Sequence, residues 1–209
     1  MPDIRFSDPD VQIVVDLAIE KEPQYTEGDA MWAGSPFQWI KTRPSRQIGK
    51  IGEELVADWC AKKGFSVKRS SDSDADRIIS GHRIEIKFST LWTDNQIYKF
   101  QQIRDQNYDY CFCIGVSPKD VHAWLIPKAE LRKDRPPSFV PQHGGSDGLD
   151  TKWLSFEAKS PPAWLKPFGG QLKDVAKLLK AARPTRKKRL QSADQPSTSM
   201  FPAKMPSWS

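Results

Sequence analysis

The sequence is poor in the residues that would make a disulfide scaffold, a zinc module or a membrane span. It has three cysteines, Cys60, Cys111 and Cys113, each in an apolar stretch. So few thiols, odd in number and surrounded by core formers, read as reduced core residues of a cytoplasmic protein. Cys111-Phe-Cys113 lacks a third and fourth ligand at zinc spacing. No apolar run approaches the roughly 18 residues that a membrane helix needs, so no membrane partner is expected. The first thirty residues hold eight acids and two bases, without the basic-then-apolar order of a secretory signal. No internal repeat is visible.

What is present supports one full domain with a tail. The chain has 209 residues, 38% hydrophobic content and eight tryptophans, enough for a substantial core. Its net charge is +6 and unevenly spread, since residues 181–209 carry six Lys/Arg against the single acid Asp194. A basic protein favours polyanions, and nucleic acid is the usual one.

The first element is a helix opening at Asp8-Pro9 and running to Glu20, with proline in its first turn and acids near the positive end of its dipole. Residues 23–45, rich in Pro, Gly, Trp and polar groups, read as a long irregular segment. From Ser45, Ile48, Ile51, Leu55 and Trp59 recur at helical spacing up to Gly64, a natural C-terminal stop. A strand at Phe65–Arg69 follows, then a polar turn. Two short strands joined at Ser80-Gly81 come next, within Ala75–Thr90.

Beyond Thr90, Ile97, Phe100 and Ile103 predict a helix over Trp92–Gln106, and Tyr108–Val116 and Val121–Ile126 read as buried strands. A helix between two strands of one sheet makes a crossover. Residues 134–150 read as a loop, Lys152–Glu157 as a strand and Leu172–Ala182 as a helix. From Arg183 the chain is basic, then Ser/Pro-rich, and reads as a tail.

The stretch with the most chemistry is the second arm of the hairpin. There Ile84, Ile86 and Phe88 alternate with Glu85, Lys87 and Ser89, so one face is apolar and the other sets a carboxylate beside an ammonium. Asp76 opens the partner arm and brings a second carboxylate to the same place. Two acids and a lysine make a divalent-metal site with a charged helper, whereas a surface ion pair of Glu85 with Lys87 or Arg77 would be worth under about 1 kcal/mol. The acid-x-Lys triplet itself is cheap. Glu85-Ile-Lys87, Asp150-Thr-Lys152 and Glu157-Ala-Lys159 all occur, about the number that the composition predicts by chance. Only the first lies in an alternating strand after a hairpin turn and downstream of a glycine-bearing helix.

That order resembles the PD-(D/E)XK nuclease superfamily: a helix with Gly-Glu, a strand, an Asp hairpin, a Glu-x-Lys strand, then helix and strand. The match spans about residues 45–126. The resemblance implies an α/β, restriction-endonuclease-like core in which a central mixed β-sheet is flanked by helices. It implies residues 1–182 as the nuclease domain, with additions at 1–44 and 127–182 for DNA recognition and 183–209 as a basic tail. Residue by residue, Asp76 resembles the family aspartate, Glu85 the second acid and Lys87 the lysine. Glu53, in Gly49-Lys-Ile-Gly-Glu53, resembles the helix glutamate seen in part of the family. Glu54 competes for that role, and Glu53 is preferred because it shares a face with Gly49, Gly52 and Val56. Ala75 stands where the family has proline, a position that varies.

The chemistry implied is Mg²⁺-dependent hydrolysis of DNA, with Mn²⁺ able to substitute. Mg²⁺ is held by one or two carboxylates and keeps several waters, so Asp76, Glu85 and the Ile86 carbonyl would form its shell. Double-stranded DNA is the expected partner and a homodimer the expected assembly. A sequence-specific type II restriction enzyme is favoured over a structure-specific nuclease or a DNA-binding module without catalysis.

Further side chains suit DNA contacts. Gln101, Gln102, Arg104 and Gln106 have the groups that bond bidentately to adenine and guanine edges, though a solvated helix face would look the same. His143 lies in a polar Gly-rich loop that suits a groove or an ordinary surface. Lys187 and Lys188 lie in a run that suits phosphate contact or plain solubility.

Overall fold

A computed structural model describes residues 6–92, 96–131, 139–141 and 151–182. Helix α1 (Pro9–Thr26) starts where Asp8 accepts the Asp10 N–H at 2.9 Å. It runs through Pro23, beyond the expected end. A 3₁₀ stretch (Glu27–Trp32) and the short helix α2 (Gln38–Lys41) follow. The segment expected to be irregular is therefore largely helical, and it buries Trp32 and Ile40. Turns of four to six residues are too short to show a helical period in sequence.

Helix α3 (Ser45–Lys62) buries Gly52, Val56 and Cys60. It ends as predicted at Gly64, whose φ of +83° suits a residue without Cβ. There Gly64 N–H donates to Ala61 O and Phe65 N–H to Cys60 O, which satisfies two carbonyls of the last turn.

The central sheet contains β1 (Val67–Arg69), β2 (Arg77–Ile79), β3 (His82–Thr90), β5 (Tyr110–Val116) and β6 (Val121–Pro127), in the order β1-β2-β3-β5-β6. Only the β3–β5 pair is parallel, so the sheet is mixed, as expected. The hairpin turn falls at Ser80 (φ +51°) and Gly81 (φ +85°), two left-handed residues whose twist matches the flanking strands.

A second sheet, in the order β4-β8-β7, holds β4 (Ile97–Arg104), β7 (Phe139–Pro141) and β8 (Thr151–Glu157). Helix α4 (Leu172–Ala181) closes the described chain. Apolar side chains fill both sides of the central sheet. On one side Val56, Cys60, Val175 and Leu179 of the helices meet Ile84, Ile86, Phe112 and Ile114. On the other, Cys111, Cys113 and Trp124 meet Tyr98, Phe100, Leu154 and Phe156 of the second sheet. The three cysteines are buried free thiols.

Two expectations are corrected. The predicted helix at Trp92–Gln106 is strand β4, so the link between β3 and β5 passes through the second sheet instead of a helix. Ile97, Phe100 and Ile103 are three apart, which mimics a helix. The residues actually buried are Tyr98, Phe100 and Ile103, with a register shift between the last two. The loop at 134–150 includes β7, paired to β8 through Val140 and Trp153. The remainder of that loop and the tail from Arg183 lie outside the described residues. Among the described residues, no helix is long and apolar enough to cross a membrane.

Helix α3 approaches β3 at Gly52, where an added Cβ would lie 2.3 Å from the Phe88 Cβ. In an open helix Gly→Ala gains about 1 kcal/mol. Here the overlap is with a β-carbon that rotation cannot remove, so Gly52→Ala should cost about 1–3 kcal/mol net. Denaturant unfolding of the two proteins checks it, with an unchanged midpoint as the contrary result.

Candidate active site

The site forms where β2 stops and β3 continues. β2 pairs with β3 only as far as Arg77 opposite Ile84, and the Asp76 N–H then donates to Ile84 O at 3.0 Å. Past that point the Asp76 side chain takes over from the strand. Its Oδ2 accepts the Ile86 N–H at 2.7 Å. A strand residue directs its N–H and C=O to the same side, so the Ile86 carbonyl also faces this opening.

Strand alternation sends Ile84 and Ile86 into the core under α3, and Glu85 and Lys87 to the opposite face. Glu85 is 6% exposed, and its Oε1 lies 2.7 Å from Lys87 Nζ. From α3, Glu53 reaches the same region and meets Arg77 Nη1 at 3.3 Å, while that nitrogen also donates to Asp76 O at 2.8 Å. Glu54, the competing glutamate, is exposed and meets Lys50 at 3.9 Å one turn earlier on the same helix. Both glutamates line the same cleft.

The charges interact strongly. Burial raises the Glu85 carboxyl above the usual carboxylate range; Lys87 opposes the rise and Asp76 adds to it. Burial likewise raises Glu53, helped by Asp76 and opposed by Arg77 and Lys87. For Lys87, burial alone would lower the value, but attraction to Glu85, a hydrogen bond to it and the Asp76 charge leave it raised. Lys87 is therefore an ammonium at neutral pH, a donor and not a base.

Except for the buried Glu85, these residues line one open cleft. Glu53, Asp76, Arg77, Ile86 and Lys87 form part of it, and Arg46, Lys50, Arg69 and Lys99 add positive charge to its walls. Trp92, Gln101 and Gln102 line it from the side of β4. Of the DNA-contact candidates, Gln101 and Gln102 thus share the cleft with the acids. Arg104 pairs with Thr151 at the far end of β4, and the Gln106 amide donates to Ser73 O at 3.3 Å, so neither lines the cleft. His143, Lys187 and Lys188 lie outside the described residues. The sequence also suggests Tyr98 and Lys99 along the DNA path, of which Lys99 lines the cleft while Tyr98 is buried. Sequence reasoning missed Trp92, and it gave Arg77 only as an ion-pair partner of Glu85.

The donor set fits a hard divalent cation. Carboxylates and a backbone carbonyl are the oxygen ligands Mg²⁺ takes. Among the described residues, no group of three acidic, His or Cys side chains stands ready to close around an ion.

No protein-family model matches the sequence, and no curated protein matches it. Among solved structures, a bacterial homing endonuclease, I-Ssp6803I, is similar to this chain with a TM-score of 0.42. The identity is 10%, over 66% of this chain and 96% of that one. At that level the similarity says nothing about the residues of the site.

A carboxyl whose pKa is raised by folding binds its proton more tightly when folded. Stability is therefore greatest below the unfolded value and falls as pH rises toward the folded value. Without metal, Glu53 and Glu85 should make the fold less stable at neutral pH than the same residues in a relaxed setting. Mg²⁺ or Ca²⁺ should raise the thermal midpoint at pH 7–8, and the rise should shrink as pH falls and the acids take up protons. In Asp76→Asn the rise should vanish, which differential scanning calorimetry with and without chelator will read.

Proposed function

We propose that this chain is a divalent-metal-dependent endonuclease that hydrolyses phosphodiester bonds of double-stranded DNA. Within that class we place it as a sequence-specific type II restriction enzyme. The observation that carries the reading is that Asp76, Lys87 and Glu53 line one cleft whose walls are basic, with the buried Glu85 paired to Lys87 at 2.7 Å.

In this reading Asp76, Glu85 and the Ile86 carbonyl hold Mg²⁺, with Mn²⁺ as a working substitute because it too favours oxygen ligands. The ion, when bound, lowers the pKa of a water, polarises the phosphoryl oxygen and stabilises charge on the leaving oxygen. Lys87 donates hydrogen bonds that orient the attacking water and offset the growing negative charge on phosphate. Glu85 keeps that ammonium aimed. Glu53 orders Arg77, and through it the Asp76 backbone. Arg46, Lys50, Arg69 and Lys99 supply the phosphate contacts that give affinity without sequence preference.

One site per chain and two strands to cut make a homodimer with a palindromic target part of the proposal. Helix α1 leaves Val11, Ile13, Val14, Leu17 and Ile19 exposed, large apolar side chains that association would cover. Sedimentation of the full chain should return twice its 23.8 kDa mass.

A plasmid digest with Mg²⁺ tests the activity. Discrete fragments support the restriction reading, while cleavage confined to branched or damaged DNA would replace it with a structure-specific nuclease. Asp76→Ala and Lys87→Ala should each lower the cleavage rate at least about 100-fold, on the scale of removing one preorganised charge-stabilising group. Circular dichroism should show both variants folded. Undiminished cutting by either would remove that residue from the site.

A further inference from the structure

Strand β4 carries a β-bulge, and the bulge stands in the cleft. Phe100 faces Leu154 and Ile103 faces Lys152, so Gln101 and Gln102 together oppose Trp153 alone. In a regular strand two consecutive residues point to opposite faces. Here both glutamines are exposed, both line the cleft, and the flanking Phe100 and Ile103 are both buried. The extra residue thus turns two neighbouring carboxamides toward the space that the acids face.

Gln102 has φ of +55°, a left-handed conformation that glycine adopts freely and glutamine does not. A position whose backbone suits glycine but which carries a long carboxamide is one where the side chain has a use. The strand that carries it is fixed to the catalytic strand: Lys99 N–H donates to Ser89 Oγ at 2.9 Å, two residues beyond Lys87. On the same outward row the Lys99 ammonium stands 3.5 Å over the Trp92 ring.

We infer that Gln101 and Gln102 read base edges of the bound duplex through their carboxamides, making A·T pairs beside the cut part of the preferred sequence. A glutamine amide both donates and accepts, which matches the N6–H₂ donor and N7 acceptor that adenine presents in the major groove. Lys99 supplies a charge for phosphate along the same strand, so positioning and reading come from one element. This inference rests on the nuclease reading above and names what that site selects.

The test is a digest of a duplex library with randomised positions, using the full chain and Mg²⁺, with sequencing of the ends. The wild type should enrich A·T at one or two fixed positions relative to the cut. Gln102→Gly, which relieves the backbone, should keep or raise the thermal midpoint. It should also flatten discrimination at one of those positions by about tenfold. Gln102→Asn, whose shorter side chain tolerates the left-handed region, should flatten the same position, and Gln101→Ala its neighbour. Wild-type cutting with no A·T preference overturns the inference and leaves the nuclease reading intact. So do variants that keep the wild-type profile. A clear fall in the midpoint of Gln102→Gly overturns it as well, by giving that side chain a structural role. A wild type that cuts no DNA at all removes both readings.

Discussion

The contact on which the rest depends is the Asp76 carboxylate accepting the Ile86 N–H. At that point the antiparallel partner of β3 has ended, and a strand edge without a partner leaves donors exposed. A side chain that takes the donor lets β2 turn away without breaking the sheet's hydrogen bonding. The opening left behind becomes the cleft. The same carboxylate now stands next to Glu85 and within electrostatic reach of Glu53, so the device that ends the strand pair also concentrates negative charge. Lys87 and Arg77 offset that charge, and burial keeps both glutamates raised.

Rigid packing holds this arrangement in place. Gly52 lets α3 sit directly on Phe88, which fixes Glu53 against the strand that carries Glu85 and Lys87. From the other side Tyr98 lies so close to Gly115 that a Cβ there would meet its ring at 2.7 Å. Strand β4 is thereby locked over β5 while its outward row faces the cleft. Two glycines, one on each side of the central sheet, thus set the distances among α3, the central sheet and β4. The cost of burying Glu85 and Lys87 is met by their mutual hydrogen bond, an arrangement that one partner cannot keep alone.

The parts legible in the sequence are those in which one residue type has one physical use. The alternation of Ile84, Ile86 and Phe88 with Glu85 and Lys87 gave the strand and its two faces. Ser80-Gly81 marked the turn, Gly64 the end of α3, and the shared face of Gly52 and Glu53 the approach to the sheet. Strand β4 was misread because a bulge changes the period. Residues buried at 98, 100 and 103 are spaced two and then three, and with Ile97 in place of Tyr98 the same stretch shows a helical interval. A single extra residue defeats any reading that assumes a constant period. The helices between 23 and 41 escaped for the opposite reason, being too short to have a period at all.

The chain also shows why the triplet alone is uninformative. In Glu157-Ala-Lys159 both charged residues are exposed at the end of β8, and the alanine between them is the buried one. In Glu85-Ile-Lys87 the acid is 6% exposed, the central residue is covered by α3, and a third charge from Asp76 is fixed by a backbone bond. Solvent screens the first pair until little of its field remains. The second pair sits where water is scarce, so each charge strongly alters its neighbours. The strong mutual influence of Glu85 and Lys87 thus follows from burial beside a strand end, a tertiary property that the surrounding order of elements encodes and three letters do not.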